Sequence, residues 1–159
     1  MDRLPWLQIP RTVRFGDTDA AGVMHFHQLL RWCHEAWEES LQRFGIPAAE
    51  VFPGTGSAVA APTVAVPLVH CSADFRRPLH CGDALQIRLS PRTIGAGFEV
   101  AYELWRSDGP LGGEIVATAL LRHRAIDAVS RRPCPLPPAL ERWLQASAGD
   151  PSPGYLAGN

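Results

Sequence analysis

Two carboxylates stand two positions apart in a short segment bounded by glycines, Gly16-Asp17-Thr18-Asp19-Ala20-Ala21-Gly22. The composition of this segment favours a tight turn that leads into a helix. A carboxylate held beside a substrate carbonyl can attack the carbon, or it can orient and deprotonate a water. The free N–H groups of a helix start suit the oxygen that then gains negative charge. The segment is therefore a candidate catalytic loop that needs neither a metal nor a serine.

The same residues also suit a purely structural role. Aspartates ahead of helices commonly cap the first turn, and capping is the more frequent use of such residues. For Asp17 we favour a turn or cap role over a second catalytic carboxylate. From the residues alone, capping and catalysis both remain open for Asp19.

The elements around this loop are predicted from periodicity. The clearest helix begins at Phe26 or His27 and ends at Phe44, where Gly45 and Pro47 stop it. Its apolar residues recur at three- and four-residue intervals and form one stripe, on which Cys33 is a small buried hydrophobe. We expect strands over 7–15, 63–76, 83–90, 96–106 and 114–126, turns at 81–83 and 107–110, a loop over 53–62 and a short helix over 138–146.

One long helix followed by a run of strands predicts the α+β class, with an antiparallel sheet wrapped around the helix. The 159 residues fit one domain, which we place at 1–147, with a flexible tail at 148–159. One helix cannot cover both faces of such a sheet, so we expect a homo-oligomer.

Composition excludes several classes of function. The net charge of −1 gives no reason to expect nucleic acid as a partner, and no apolar stretch is long enough to span a membrane. The four cysteines are scattered and form no C-x-x-C pair, which argues against a zinc ribbon or a redox pair. We therefore expect a cytoplasmic protein without a metal or a cofactor.

The histidines have several possible roles. His25 either lines a substrate pocket or is a partly exposed loop residue. No acidic or sulfur ligand is placed with His25, His27 and His34, so we do not expect zinc there. His123 stands between two arginines in a predicted strand, and we expect it at a subunit interface.

The loop and its surroundings resemble the hot-dog thioesterases of the 4-hydroxybenzoyl-CoA type. The resemblance covers roughly residues 8 to 128. Its motifs are the G-D-x-D-x-x-G element beginning at Gly16, Leu29-Leu30-Arg31-Trp32 in the helix, and Ala73-Asp74-Phe75-Arg76-Arg77-Pro78-Leu79 followed by Gly82-Asp83. Within that family, three segments look closest to the cyanobacterial 1,4-dihydroxy-2-naphthoyl-CoA hydrolases of phylloquinone synthesis. They are Pro67-Leu68-Val69-His70-Cys71, Leu121-Arg122-His123 and Pro135-Leu136-Pro137.

The resemblance implies a role for four residues. It makes Asp19 the catalytic carboxylate and Phe26 the residue whose backbone N–H polarises the carbonyl, in a position where the family usually has tyrosine. Gly22 permits the close turn, and His25 is a candidate for the substrate-binding set. The implied fold is the hot-dog fold, and the implied assembly is a dimer or tetramer with active sites at the subunit boundary.

One departure concerns coenzyme A, which is part of the substrate and not a separate cofactor. The 4-hydroxybenzoyl-CoA enzymes carry a basic cluster before the equivalent of Phe98, whereas this chain has the uncharged Ile94-Gly95-Ala96-Gly97. The CoA phosphates are instead expected at one or more of five arginines. These candidates are Arg76, Arg77, Arg88, Arg92 and Arg122.

Other functions remain open at this stage. The substrate can also be 4-hydroxybenzoyl-CoA or another aryl or short acyl-CoA. Asp19 and His25 superficially resemble the Asp–His pair of a hot-dog enoyl-CoA hydratase, although their spacing fits the thioesterase motif better. A non-catalytic acyl-CoA-binding protein of the same fold is the remaining alternative, against which the presence of Asp19 argues.

Overall fold

The computed structural model describes residues 2–58, 60–107 and 113–150. It contains one long helix, two short helices and seven strands. The helices are α1 (Gln28–Phe44), α2 (Ala48–Val51) and α3 (Pro138–Ser147). The strands are β1 (Gln8–Thr12), β2 (Val64–Ala65), β3 (Leu68–Phe75), β4 (Ala84–Ile94), β5 (Gly97–Arg106), β6 (Glu114–Arg124) and β7 (Ile126–Asp127).

Five strands form one antiparallel sheet in the order β1-β4-β5-β6-β3, and β2 pairs with β7 in a separate two-stranded sheet. The α+β class and the antiparallel hot-dog sheet around one helix are thus confirmed. Chain direction puts the ends of β1, β3 and β5 and the starts of β4 and β6 at one end of the sheet. The first turn of α1 and the loop that precedes it lie at that same end.

The apolar stripe predicted for the long helix is the face that α1 buries against the sheet. Leu29, Cys33, Ala36 and Trp37 are all 0% exposed. Burial raises the pKa of the Cys33 thiol, which therefore stays protonated and packs as a small hydrophobe, as predicted. The helix ends at Gly45, which adopts the left-handed conformation with φ of 106°.

The structure differs from the prediction at several element boundaries. α1 begins at Gln28, so Phe26 and His27 lie in the turn before it. The one-turn helix α2, which follows Pro47, was not predicted. The predicted strands 63–76 and 114–126 are each divided, because β2 and β7 pair with each other in the separate two-stranded sheet. Arg106 pairs with Glu114, which confirms a β5–β6 hairpin, although 108–110 of its predicted turn lie outside the described residues.

The first and last described segments of the chain meet near α3. The Trp143 indole N–H donates to Ser40 Oγ at 3.0 Å, which fixes α3 to α1. Asp150, within the predicted tail, accepts the Leu4 N–H at 2.7 Å and pairs with Arg3 at 3.1 Å. The start of that tail is therefore anchored, while residues 151–159 lie outside the described part of the chain.

No helix in the described part of the chain combines the length and the apolar character needed to cross a membrane.

His123 lies in the core of a single chain and is 1% exposed, so its predicted interface position is wrong. Its ring stacks on Phe98 at 4.9 Å and lies 4.6 Å from the Trp37 ring, between centroids. Nδ1 is 3.0 Å from the Val66 carbonyl oxygen, which identifies it as the protonated nitrogen. Burial, with a smaller contribution from His34, lowers the pKa of His123 to about 4 despite the bond to Val66.

This buried neutral imidazole predicts a pH-dependent stability. The folded pKa lies below the ordinary value, so the unfolded chain binds the proton first as pH falls, and the fold loses stability. The free energy of unfolding is expected to fall by about 2 kcal/mol from this group between about pH 7 and pH 5. Urea titrations at the two pH values measure it. His123→Phe, which keeps a ring in the stack, should remove this part of the slope, and an equal slope in both proteins would contradict the prediction.

Candidate active site

The candidate catalytic loop is a miniature antiparallel hairpin. The His25 N–H donates to the Asp17 carbonyl at 2.9 Å, and the Asp19 N–H donates to the Val23 carbonyl at 2.9 Å. The Gly22 N–H closes the turn on the Asp19 carbonyl at 3.0 Å. Gly22 has φ of 79°, a conformation that side chains disfavour, and this explains the glycine at the tip. The loop therefore has a regular, hydrogen-bonded backbone.

Both arms of this hairpin are bound to the rest of the fold. The Met24 N–H donates to the Leu79 carbonyl at 2.7 Å, in the segment that connects β3 to β4. Val13 stands just before the loop and forms two backbone hydrogen bonds with the turn that precedes β4. Its N–H donates to the Asp83 carbonyl at 2.9 Å, and its carbonyl accepts the Gly82 N–H at 2.8 Å. The turn predicted at 81–83 is thus confirmed, and it supports the candidate site directly.

Asp17 acts inside this framework as a turn residue. Its Oδ2 accepts the Arg14 N–H at 2.8 Å, while its own N–H donates to the Arg14 carbonyl at 3.0 Å. Its carbonyl holds His25 on the opposite arm. These three bonds match the structural role predicted for Asp17.

Asp19 is exposed at the end of the hairpin. Its Oδ1 accepts the Ala21 N–H at 2.8 Å, which orients the carboxylate, and no described residue bonds the other oxygen, Oδ2. A carboxylate held by one oxygen and open at the other has the form that either nucleophilic attack or activation of a water requires. The bond to Ala21 lies within the hairpin and does not cap α1, which begins at Gln28, so the predicted capping role is not seen; the catalytic role of Asp19 stays a prediction.

Phe26 follows His25 at the point where the loop leaves the hairpin and turns into α1. Its side chain is 69% exposed, and its backbone N–H has no acceptor among the described residues. His25 is half-buried and His27 is exposed, and their imidazole rings are in contact. The structure therefore brings the four predicted site residues, Asp19, Gly22, His25 and Phe26, onto one short loop at one end of the sheet.

Two open cavities adjoin α1. One of about 430 Å³ lies between β1 and the start of α1 and includes Asp17, Arg31 and Trp32 among its walls. The other, of about 590 Å³, runs along the second half of α1 and over α2. Neither cavity is lined by Asp19 or Phe26, so neither lies at the candidate carboxylate.

The five arginines considered for the CoA phosphates differ in their partners. Arg92 and Arg122 both pair with the buried Glu99, and Arg77 lies 3.6 Å from Glu114. The Arg88 guanidinium lies 4.2 Å above the Trp105 ring. The Arg76 side chain is exposed and has no ion pair, hydrogen bond or ring contact within the described residues.

Within the residues that the structure describes, no three side chains of histidine, cysteine, aspartate or glutamate lie close enough to hold a metal ion. The expectation of a metal-free and cofactor-free reaction stays a prediction.

Comparison with known proteins decides the family. The sequence model of the thioesterase-like superfamily matches residues 13–144, which include the whole candidate loop and four of the five strands of the main sheet, with β1 lying just before the match. The chain belongs to the thioesterase-like superfamily. The predicted hot-dog thioesterase family and its hydrolase class are thereby confirmed.

Individual relatives cover nearly the whole chain. A 1,4-dihydroxy-2-naphthoyl-CoA hydrolase from Synechococcus sp. strain CC9902 is 56% identical over 148 residues, which are 92% of this chain and 95% of the relative. The hydrolase of the same name from Prochlorococcus marinus strain MIT 9303 is 54% identical over 143 residues, or 89% and 91% of the two chains. The resemblance to the cyanobacterial hydrolases is therefore confirmed.

Solved structures give the same result for the fold. The crystal structure of a protein from Prochlorococcus marinus strain MIT 9313 is 51% identical, with a TM-score of 0.86 over 92% of this chain and 99% of that one. A 1,4-dihydroxy-2-naphthoyl-CoA thioesterase from Synechocystis is 30% identical, with a TM-score of 0.73 over 87% of this chain and 95% of its own.

Some features of this thioesterase-family site were not apparent from the sequence. Leu79 holds the loop, and Asp83 holds Val13 just before it, through backbone carbonyls, which carry no signal in a residue type. The side-chain contact of His25 with His27 was also missed. The H-x-H pattern was visible, but in a helical segment residues two apart point in different directions, whereas these two precede the helix.

The anchoring of the loop through Asp17 can be tested by mutation. Asp17→Ala removes the acceptor of the Arg14 N–H and should destabilise the protein by about 1 kcal/mol, with faster amide exchange at Arg14 and His25. Asp17→Asn keeps a side-chain oxygen and should stay closer to the wild type. Chemical denaturation and hydrogen exchange measure both effects. Unchanged exchange at His25 in the alanine variant would show that the anchor lies elsewhere.

Proposed function

We propose that this chain hydrolyses 1,4-dihydroxy-2-naphthoyl-CoA to the free acid and CoA, as a step in phylloquinone synthesis. The observation that carries the proposal is the naming of its relatives. Eight curated hydrolases of that name are 52–56% identical to this chain over about nine-tenths of its length. The exposed carboxylate and the free N–H of the loop give this assignment a chemical basis.

Asp19 is the group that we assign to the chemical step. In one route its free oxygen attacks the thioester carbonyl carbon, the C–S bond breaks, and CoA leaves as the thiolate. Water then hydrolyses the resulting mixed anhydride and regenerates the carboxylate. In the other route Asp19 takes a proton from a water, which attacks the same carbon and expels the same thiolate. Both routes give the acid and CoA, and neither needs a metal or an organic cofactor.

The Phe26 N–H is the group that we assign to the carbonyl oxygen. As either nucleophile adds, this oxygen gains negative charge, and a fixed backbone donor stabilises that charge more than it stabilises the ground state. The bonds that fix the loop make the donor rigid before substrate binds. Phenylalanine in place of tyrosine does not change this role, because the donor belongs to the backbone.

The substrate also has an aromatic acyl group and a phosphorylated carrier. Exposed phenyl rings occur at this end of the sheet in Phe15, Phe26 and Phe75, which are 82%, 69% and 51% exposed. They offer apolar surface to a fused aromatic ring. Arg76 follows Phe75 directly and has no competing partner in the described residues, so we assign it to a CoA phosphate.

We further propose that the enzyme works as a homodimer or homotetramer in the cytoplasm. β3 is an edge strand of the main sheet, and nearly all of its residues are exposed on both faces. Leu68, Val69 and Phe75 are 42%, 50% and 51% exposed there. A free strand edge with apolar side chains favours pairing with another strand, and a second copy would add walls to the exposed site.

The proposed reaction is tested by thiol release from four thioesters, with acyl groups dihydroxynaphthoyl, 4-hydroxybenzoyl, phenylacetyl and butyryl. The naphthoyl thioester should be hydrolysed fastest, and Asp19→Asn should lower kcat by at least about a thousandfold. Glu50→Gln, which changes an exposed carboxylate on α2, is the matched control and should be fully active. Equal activity of Asp19→Asn and wild type would reject Asp19, and inertness towards all four thioesters would reject the function.

The proposed assembly is tested on β3. The wild type should sediment as a dimer or tetramer, and Val69→Lys should shift it towards the monomer and lower activity, because a buried lysine opposes strand pairing. Val129→Lys is the control, since Val129 is 93% exposed and lies outside β3. A wild-type monomer with full activity would contradict the oligomer.

A further inference from the structure

The two histidines that flank Phe26 are in direct contact through the same nitrogen of each ring. Nδ1 of His27 lies against Nδ1 of His25, and the ring centroids are 4.2 Å apart at an angle of 63°. This pair, His25 with His27, is called the histidine dyad below. It is located within the candidate site, since the residue between its members carries the N–H assigned to the carbonyl oxygen.

A contact between two imidazole nitrogens fixes the position of a proton. A neutral imidazole carries its proton on either Nδ1 or Nε2. Two bare Nδ1 atoms repel each other through their lone pairs, and two protonated ones repel through their hydrogens. One Nδ1 of the dyad must therefore be protonated and donate, and the other must be bare and accept.

The backbone decides which ring accepts. The His27 N–H also points at His25 Nδ1, at 3.4 Å from nitrogen to nitrogen. An N–H can only bond a nitrogen that has its lone pair free, so His25 Nδ1 is bare and His27 Nδ1 is protonated. His25 then carries its proton on Nε2. The backbone of His25 is fixed as well. Its N–H donates to the Asp17 carbonyl at 2.9 Å, and its carbonyl accepts the Gln28 N–H at 3.0 Å.

We propose that His27 is a positioning residue that holds His25 in the Nε2–H tautomer. His25 thereby presents a hydrogen-bond donor to an oxygen of the acyl thioester, beside the Phe26 N–H. His25 is only half-buried, and its Nε2 forms no hydrogen bond with a described residue, so the donor is available to a ligand. The identity of the ligand rests on the proposed function, whereas the tautomer rests on the contacts of the dyad.

This assignment has a consequence for the chemistry. With Nε2 protonated and Nδ1 occupied by His27, His25 has no free lone pair and cannot accept a proton from a water or a substrate. An Asp–His pair for enoyl-CoA hydration needs a histidine that exchanges protons with substrate. The dyad therefore favours hydrolysis driven by Asp19, with His25 as a donor.

Imidazole nitrogen NMR on the histidine-labelled full chain tests the tautomer without substrate. At about pH 8, above the ordinary range of imidazole titration, His25 should show the Nε2–H pattern and His27 the Nδ1–H pattern. Two isosteric variants separate the cause. His27→Asn places an amide N–H close to the position of Nδ1–H and should preserve the His25 pattern. His27→Asp places an acceptor there and should convert His25 to Nδ1–H.

Kinetics of the same variants test the donor. His27→Asp should lower kcat for the naphthoyl thioester about tenfold or more with less than a twofold change in KM, because a donor to the reacting oxygen acts mainly in the transition state. His27→Asn should keep kcat within about threefold of wild type. His80→Phe, which alters an exposed histidine outside the dyad, is the control and should change neither readout.

The outcomes separate the two proposals. A wild-type His25 in the Nδ1–H form, or a His25 pattern that is the same in His27→Asp as in wild type, would overturn the role of His27. Equal kcat in the Asn and Asp variants, with the tautomer switched between them, would overturn the role of His25 as a donor. The expected spectra in a protein inert towards every thioester would support the tautomer assignment and reject the proposed hydrolase instead.

Discussion

Burial of one face of α1 against the five-stranded sheet is the interaction on which the rest of this structure depends. The sheet alone has an apolar face that water would otherwise contact, and α1 covers it with side chains that are almost completely buried. The helix runs antiparallel to β1, so it begins at the end of the sheet where β1 stops. The loop between them therefore has to reverse the chain within a short distance, and that loop contains the candidate site.

The reversal is achieved with backbone bonds, which leaves the side chains free for chemistry. Asp17 holds the base of the hairpin, Gly22 forms its tip, and Leu79 ties one arm to the neighbouring connection. Asp19 uses one oxygen for the turn and leaves the other open. In a thioesterase-family site this rigidity matters, because the oxygen that gains charge must find its donor already in place.

Histidines have different roles at the two ends of the sheet. His123 is kept neutral by burial, donates to Val66 and stacks between aromatic rings, so it serves packing. The histidines before α1 are accessible and contact each other. An identical residue type thus has a core role at one end and a site role at the other, and the distinction comes from what surrounds each ring.

The sequence by itself determined the elements and the chemical character of the loop. A helix stripe and alternating strands are local periodicities, so the α+β class followed without coordinates. The G-D-x-D-x-x-G element is a contiguous motif, and the resemblance that it carries implied the hot-dog family and the candidacy of Asp19 and Phe26. Two boundary errors were local: α1 begins at Gln28 instead of Phe26 or His27, and α2 was missed because four residues carry little periodic signal. The division of two predicted strands between two sheets depends on the pairing of β2 with β7, which local periodicity does not encode.

Only the tertiary structure decided which groups meet across distant parts of the chain. The Leu79 carbonyl binds the loop and the Asp83 carbonyl binds Val13 before it, and both are backbone atoms that every residue possesses. The burial of His123 on β6 depends on Trp37, which α1 places against it, and on Phe98, which lies on the neighbouring strand β5. The contact of His25 with His27 depends on a backbone that is not yet helical at these residues. Residue types record local propensity, whereas these contacts arise from how the whole chain packs.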